Sequence, residues 1–231
     1  YNTRYTGIMV NEPDTLIEMR LPLPKKYLQY VNYGSANWFD FDSDGLQDIY
    51  QVRFDLQTPK MAIYKNNGDK TFTDIKCDSL LKITPVKLAP SFSDYDNDGD
   101  TDILLTGRNL RTNVLETIIQ ENADSGKFKP VLIPNMTGII KSRMPWGDFN
   151  NDGYMDIIAN ESKADLTAHL SVYKNNGDKT FTKILFENLA GLYLDDSNNG
   201  DMRWGDCNSD GFADIILSGC NSGSNGTGIT R

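Results

Sequence analysis

Four stretches of the chain crowd acidic side chains around a glycine: "DFDSDGLQDI" from Asp40, "DYDNDGDTDI" from Asp94, "DFNNDGYMDI" from Asp148 and "DCNSDGFADI" from Asp206. Carboxylates held this close repel one another at neutral pH unless a cation sits among them. The shared pattern, D-x-[DN]-x-D-G-x-x-D, places oxygen-bearing side chains at positions 1, 3, 5 and 9. Glycine at position 6 permits a sharp bend that lets the carbonyl of position 7 face inward. A set of about six hard oxygens selects Ca²⁺; zinc would want histidine or thiolate, and Mg²⁺ keeps its waters rather than entering an all-protein cage. An EF-hand loop shares the first six positions, but it needs a Glu at position 12 and a helix on each side. Position 12 here is Gln51, Leu105, Ala159 or Leu217, so an EF-hand is rejected. Solvated turns without metal are the plain alternative, weakened by Asp recurring at positions 1, 5 and 9 in all four copies.

Other chemistry finds little support. His169 is the single histidine; it aligns with Lys60 and is expected to face solvent. No Ser-His-Asp constellation, glycine-rich phosphate loop or Cys-x-x-Cys motif occurs. The paired acids that glycoside hydrolysis would need are already assigned to metal. The expectation is a binding module and not an enzyme.

The elements that must position these loops follow from their spacing. The loops start 54, 54 and 58 residues apart, and a period of about 50 residues signals a repeat architecture. Two residues before each first Asp stands a large aromatic, Trp38, Phe92, Trp146 or Trp204, a slot that takes up every tryptophan of the chain. Downstream, "YKNNGDKTFT" occurs at 64–73 and 173–182, with a weaker "QENADSGKFK" at 120–129. Asn-Gly between runs such as 61–64 and 71–75 predicts a hairpin with a type I′ turn, positive φ being required at both central residues. Short runs rich in Ile, Val, Tyr and Phe suit strands, and helical periodicity is absent.

Each unit therefore predicts four short strands in one antiparallel sheet, the composition of a propeller blade. The expected fold is an all-β β-propeller within residues 1–231: strands three and four of a first blade at 5–20, whole blades at 28–78, 85–132 and 138–186, and strands one and two of a last blade at 195–231. The chain is expected to stop before any third strand of that last blade. Two arrangements are open, a segment of a larger propeller, which is favoured, or a closed four-bladed ring. Since the first residue is Tyr1, a processed or excised piece is expected.

The formal charge of −9 has a local origin. Fourteen of the 32 Asp and Glu occupy positions 1, 3, 5 and 9 of the loops, and four divalent cations would nearly cancel the total. No Lys/Arg stripe offers itself to phosphates, which argues against nucleic acid. No apolar run approaches the roughly 20 residues that cross a bilayer, so no direct membrane insertion is expected. Cys77, Cys207 and Cys220 are few and odd in number, expected as free, partly buried thiols. Sequons at Asn135, Asn160 and Asn225 would suit an extracellular context but carry little weight in so Asn-rich a chain.

The repeated loop resembles the FG-GAP/VCBS repeat family, the calcium-binding blades of integrin α-subunit propellers and of many microbial surface proteins, over nearly the whole chain. The resemblance implies about four Ca²⁺ sites. Carried over position by position, the ligands would be Asp40, Asp42, Asp44 and Asp48 with the carbonyl of Leu46; Asp94, Asp96, Asp98 and Asp102 with that of Asp100; Asp148, Asn150, Asp152 and Asp156 with that of Tyr154; and Asp206, Asn208, Asp210 and Asp214 with that of Phe212. Cys207 replaces the usual aromatic at position 2 of the fourth loop, which bears on packing there and not on ligation. The first and second loops, with four carboxylates each, are expected to depend on metal more than the third and fourth.

The implied function is a calcium-stabilised module for protein interaction or adhesion on a surface or secreted protein, with other domains of a longer parent chain as further partners. A carbohydrate-binding propeller, alone or attached to a polysaccharide-active enzyme, is the alternative. It should repeat its sugar contacts once per blade, and no such repeat is visible. The acidic loops and hairpin turns should share one end of the sheets. The connections 53–59, 106–114 and 160–167, with 77–87, 130–143 and 187–201, should lie at the other end, where variable loops serve recognition.

Overall fold

A computed structural model describes residues 7–12, 15–20, 31–55, 58–75, 83–85, 90–109, 111–123, 126–137, 144–162, 168–186, 192–193, 201–221 and 228–230. Among them every regular element is a strand. The first sheet pairs β1 (Gly7–Glu12) with β2 (Thr15–Arg20). The second runs β3 (Val31–Phe39), β4 (Asp48–Asp55), β5 (Thr58–Asn66) and β6 (Phe72–Ile75), each antiparallel to the next.

In the third sheet, β7 (Ile83–Pro85) and β8 (Ser91–Ser93) lie end to end along one edge of β9 (Asp102–Asn109), followed by β10 (Leu115–Asn122) and β11 (Phe128–Thr137). The fourth runs β12 (Trp146–Gly147), β13 (Asp156–Ser162), β14 (Ala168–Asn175) and β15 (Phe181–Phe186). In the last, β16 (Leu192–Tyr193) and β17 (Asp201–Gly205) share one edge of β18 (Asp214–Asn221), and β19 (Gly228–Thr230) takes the other.

The second strand of each unit explains how the sheets stack. It begins Asp-Ile and continues apolar or uncharged, "DIYQV", "DILLT", "DIIAN" and "DIILS", because a strand covered on both faces needs no polar alternation. In β9, Ile103 and Leu105 join a core with Phe39, Tyr50, Val52, Met61 and Ile63 of the preceding sheet. The intervening Leu104 packs the other way, with Ile157, Ala159 and Tyr173 of the following one. The same alternation turns Ile157 back and sends Ile158 forward to Met202 and Leu217. Ile8 of β1 packs on Ile49, Ala62 and Tyr64. The cores therefore lie between successive sheets, as in a stack of propeller blades. Among the described residues the stack is an open series: β1 and β2 pair only with each other, and Ile216, which would face a further sheet, is 55% exposed.

The aromatic slot works between blades in three of its four copies. Phe92 packs against Phe39 with tilted rings, 4.7 Å between centroids, Trp146 stacks on Tyr95 at 6.1 Å, and the Trp204 indole lies over Gly147 and donates Nε1–H to the Pro145 carbonyl at 3.1 Å. Those three are half-buried, whereas Trp38 is 53% exposed. The slot residue packs onto the first strand or the acidic loop of the sheet before it, and the sheet before Trp38 contributes only β1 and β2 to the described residues.

Gly147 shows how tight that seat is. A Cβ there would come within 2.5 Å of the Trp204 ring, whereas a Cβ on the equivalent Gly205 would meet nothing within 4 Å. Gly147→Ala should cost about 1–3 kcal/mol, the usual penalty of overpacking, and Gly205→Ala should lie within about 0.5 kcal/mol of wild type. Equal melting temperatures for the two variants would show that the indole does not fill that seat.

Several sequence expectations need correcting. The last unit does not stop at two strands, because Gly228–Thr230 pairs with Ser218–Cys220 as the start of a third. Residues 53–55, 58–59, 83–85, 106–109, 130–137, 160–162 and 192–193 are strand, not connection. The third sheet, from Ile83 to Thr137, extends past 85–132 at both ends. The connection stretches 76–82, 86–89, 138–143, 163–167 and 194–200 lie outside the described residues, as do Cys77 and the side chains of His169 and Cys220. Cys207 is a free thiol, but exposed and not partly buried.

Candidate metal centre

Each acidic loop is a rigid turn built by its own carboxylates. The first Asp accepts two backbone N–H groups: Asp40 takes those of Asp44 (3.2 Å) and Gly45 (2.9 Å), and Asp94, Asp148 and Asp206 repeat this with residues 98 and 99, 152 and 153, and 210 and 211. The fifth position accepts the N–H of the seventh, from Leu46, Asp100, Tyr154 and Phe212, at 2.8–3.0 Å. The glycine at position 6 has φ of +84° to +96°, a region that a Cβ makes costly. Position 4 is also left-handed, at Ser43, Asn97, Asn151 and Ser209. Asn is among the side chains that tolerate αL, and this short polar residue is a signal that the sequence carried unread.

The ninth position joins the loop to the hairpin of its own sheet. Asp48 Oδ2 accepts the Phe41 N–H (3.1 Å) and Oδ1 the Asn66 N–H (2.7 Å). Asp102 is held in the same way by Tyr95 and Asn122, and Asp156 by Phe149 and Asn175. All three are fully buried. Burial pushes Asp48 and Asp156 above the usual carboxylate range and Asp102 up to about 7, against the pull of those backbone donors. Asp214 differs, its carboxyl being drawn down by the Cys207 thiol and N–H.

Sequence reasoning gave the hairpins a turn role only and missed this clamp. The signal was present, since the residue closing the third strand is Asn66, Asn122 or Asn175 even where the turn itself degenerates. The turn also differs from the predicted type I′. Asn67 is not left-handed; Gly68 (φ +78°) and Lys70 (φ +67°) are, within a loop closed by Asn67 N–H to the Thr71 carbonyl at 3.0 Å. Gly177 and Lys179 repeat the pair. Loops and hairpins nonetheless share one end of the sheets, as expected.

The clamps run on from blade to blade. The Asn122 carboxamide donates to the Phe41 carbonyl of the first loop, and that of Asn175 to the Tyr95 carbonyl of the second (2.5 and 2.7 Å). Ser43 donates to the Gly99 carbonyl and Asn97 to that of Gly153, so the first loop also touches the second and the second the third (2.5 and 3.1 Å).

The sequence-derived ligand positions converge in the first two loops. Carboxylate oxygens of Asp40, Asp42 and Asp48 lie within 4.8 Å of one another, as do those of Asp94, Asp96 and Asp102. Asp44 faces the same ground through Lys65, which pairs with both Asp42 and Asp44. In the third loop Asn150 donates to Asp152 (2.7 Å), and in the fourth Asn208 donates to Asp210 (2.9 Å). That last loop is the most exposed, and no hairpin Asn holds Asp214 among the described residues.

The donor set suits a hard divalent cation. All its side-chain donors are oxygens, and the buried third-position atoms Asp42 Oδ1, Asp96 Oδ1 and Asn150 Oδ1 have no hydrogen-bond partner. An orphaned buried carboxylate oxygen is costly unless a cation meets it. These clusters could hold a metal ion.

Comparison with known proteins gives the family. The FG-GAP-like repeat matches three times, over residues 40–105, 94–159 and 148–217, each match running from one acidic loop into the second strand of the next unit. No curated protein matches the chain. The three matches cover most of its length, and with the stacked four-stranded sheets they establish that the chain belongs to the FG-GAP-like repeat family.

Proposed function

We propose that the chain is a calcium-stabilised β-propeller module that binds a protein ligand at a cell surface or outside the cell. The carrying observation is the second loop, where the Asp96 side chain is 5% exposed among Asp94 and Asp102 and its Oδ1 lacks a partner. Calcium bound there by Asp94, Asp96, Asp98 and Asp102 with the Asp100 carbonyl, and in the other loops by the equivalent residues, would neutralise the turns and fix strand one to strand two. Its role is structural. FG-GAP-like repeats are a non-catalytic family, which supports recognition over catalysis.

The metal occupies one end of the sheets, leaving the opposite end for recognition. The β9–β10 connection there is exposed at Arg111, Thr112, Asn113 and Val114, the last at 56%. Extracellular calcium modules bind at about 10⁻⁴–10⁻³ M, which matches a calcium-rich compartment and not the cytosol. No helix among the described residues is long and apolar enough to cross a membrane.

Isothermal titration of CaCl₂ into chelator-stripped protein should give saturable binding at three or four sites in the micromolar to millimolar range. Absence of any binding heat at millimolar calcium, together with no effect of calcium on thermal unfolding, would overturn the metal reading. A glycan array probed with and without EDTA should be blank. A glycan signal lost on chelation would replace the protein ligand with a carbohydrate.

A further inference from the structure

The four loops carry the same pattern but not the same charge. The residue just before the hairpin Asn projects over the acidic loop of its own sheet, and it is Lys65 in the first unit, Glu121 in the second and Lys174 in the third. Lys65 pairs with Asp42 and, at 2.7 Å, with Asp44. Lys174 stands 3.4 Å from Asp152. In the second unit Glu121 adds a carboxylate, and its Oε2 accepts the Tyr95 hydroxyl at 3.1 Å. The cation beside that loop comes from elsewhere: Lys179, in the hairpin of the following sheet, lies 2.7 Å from Asp96 and 3.1 Å from Glu121.

The lysines also differ in how they are held. Lys65 lies against its own loop, 5.7 Å over the Phe41 ring, and its side chain is 30% exposed. Lys179 is 50% exposed and belongs to a turn, so it can return to water at small cost, whereas the buried Asp96 cannot. A fixed positive charge within about 5 Å of a divalent ion weakens that ion's binding on the order of tenfold even when the dielectric is close to that of water.

We propose that the second loop, with Asp94, Asp96, Asp98 and Asp102 beside Glu121, is the tightest divalent-cation site of the chain, and that Lys65 and Lys174 are built-in counter-ions that weaken the first and third. This rests on the metal reading of the loops. It replaces the ranking by carboxylate count, under which the first and second loops would be equals. On binding at the second loop, the ion takes the place of Lys179 against Asp96, and the lysine turns to solvent.

Calorimetric calcium titration of the full chain, wild type against Lys65→Met, Glu121→Gln and Glu121→Lys, tests it. Wild type should show one tight class and a weaker one. Lys65→Met keeps the aliphatic stem and should tighten one weak site about tenfold while leaving the tight class unchanged. Glu121→Gln keeps an acceptor for Tyr95 and should loosen the tight class severalfold; Glu121→Lys should loosen it at least about tenfold. If Glu121→Lys does not fold, Glu121→Gln decides. Calcium binding with all constants unmoved by Lys65→Met and Glu121→Gln overturns the ranking while the metal reading stands. Wild type that takes up no calcium overturns both.

Discussion

Excess EDTA should lower the melting temperature of the protein by roughly 3–15 °C, and millimolar calcium should restore it. The size follows from linkage. Millimolar calcium is about 1–10 times a dissociation constant of about 10⁻⁴–10⁻³ M and stabilises the folded state by roughly 0.4–1.4 kcal/mol per site. Three clamped loops then give about 1–4 kcal/mol, and each kcal/mol moves a domain of this length by about 2–4 °C. The structural reason is the crowding around Asp48, Asp102 and Asp156. Each is fully buried with two backbone donors and has further carboxylates near it, whose repulsion raises the cost of its charge. Lys65, Lys174 and Lys179 relieve part of that repulsion, so chelation should loosen the fold without abolishing it. Magnesium should restore less than calcium, because it surrenders its waters reluctantly. Scanning calorimetry in EDTA and then in added calcium is the measurement, and a melting temperature indifferent to both would remove metal from the stability of the fold.

What the sequence disclosed and what it hid divide along physical lines. The period of the acidic loops identified the blades because one loop marks one supersecondary unit. The short apolar runs were legible as strands, whereas the cover on both faces of the Asp-Ile strands, seen in the two-way packing of Ile103 and Leu104, belongs to the structure. The loop turns were equally legible, since Gly45, Gly99, Gly153 and Gly211 all take the conformation that position 6 demands. Contacts between units were not legible, because a repeat unit's own sequence says nothing about which neighbour covers it. Trp38 and Trp146 occupy one slot and differ only in the sheet before them. Asn66, Asn122 and Asn175 carry no legible role in the sequence, because Asn has two uses that composition cannot separate, a tolerance of tight turns, which the Asn-Gly beside Asn66 and Asn175 suggests, and a carboxamide able to satisfy buried carbonyls. In Asn175 the second use prevails, while the turn is left to Gly177 and Lys179.

That distinction predicts a large effect from a small change. Asn175 is 1% exposed, and its carboxamide donates to the Tyr95 and Met155 carbonyls at 2.7 and 3.2 Å while accepting the Gly177 N–H at 3.0 Å. Alanine at this position leaves two carbonyls and one N–H with fewer partners, at about 1–3 kcal/mol for each that stays buried. Since the Gly177 N–H lies in a turn that water reaches, a total of about 3 kcal/mol is expected, which is roughly 6–12 °C in melting temperature. Asn176→Ala is the control: Asn176 is exposed, and its carboxamide donates to the Thr180 hydroxyl and accepts that of Thr182 on a surface that water reaches, so it should cost less than about 1 kcal/mol. The consequence should also travel. The backbone N–H of residue 175 still donates to Asp156 after the substitution, which preserves the clamp on the third loop. Tyr95, by contrast, loses the donor on its carbonyl while its own N–H holds Asp102. Asn175→Ala should therefore weaken calcium at the second loop, in the preceding blade, more than at the third, in its own. Asn175→Asp, which keeps the acceptor for Gly177 but loses both donors, should not rescue either effect. Should Asn175→Ala prove as mild as Asn176→Ala, or should calcium affinity fall only in the third loop, the blade-to-blade clamp would have no part in holding the metal sites.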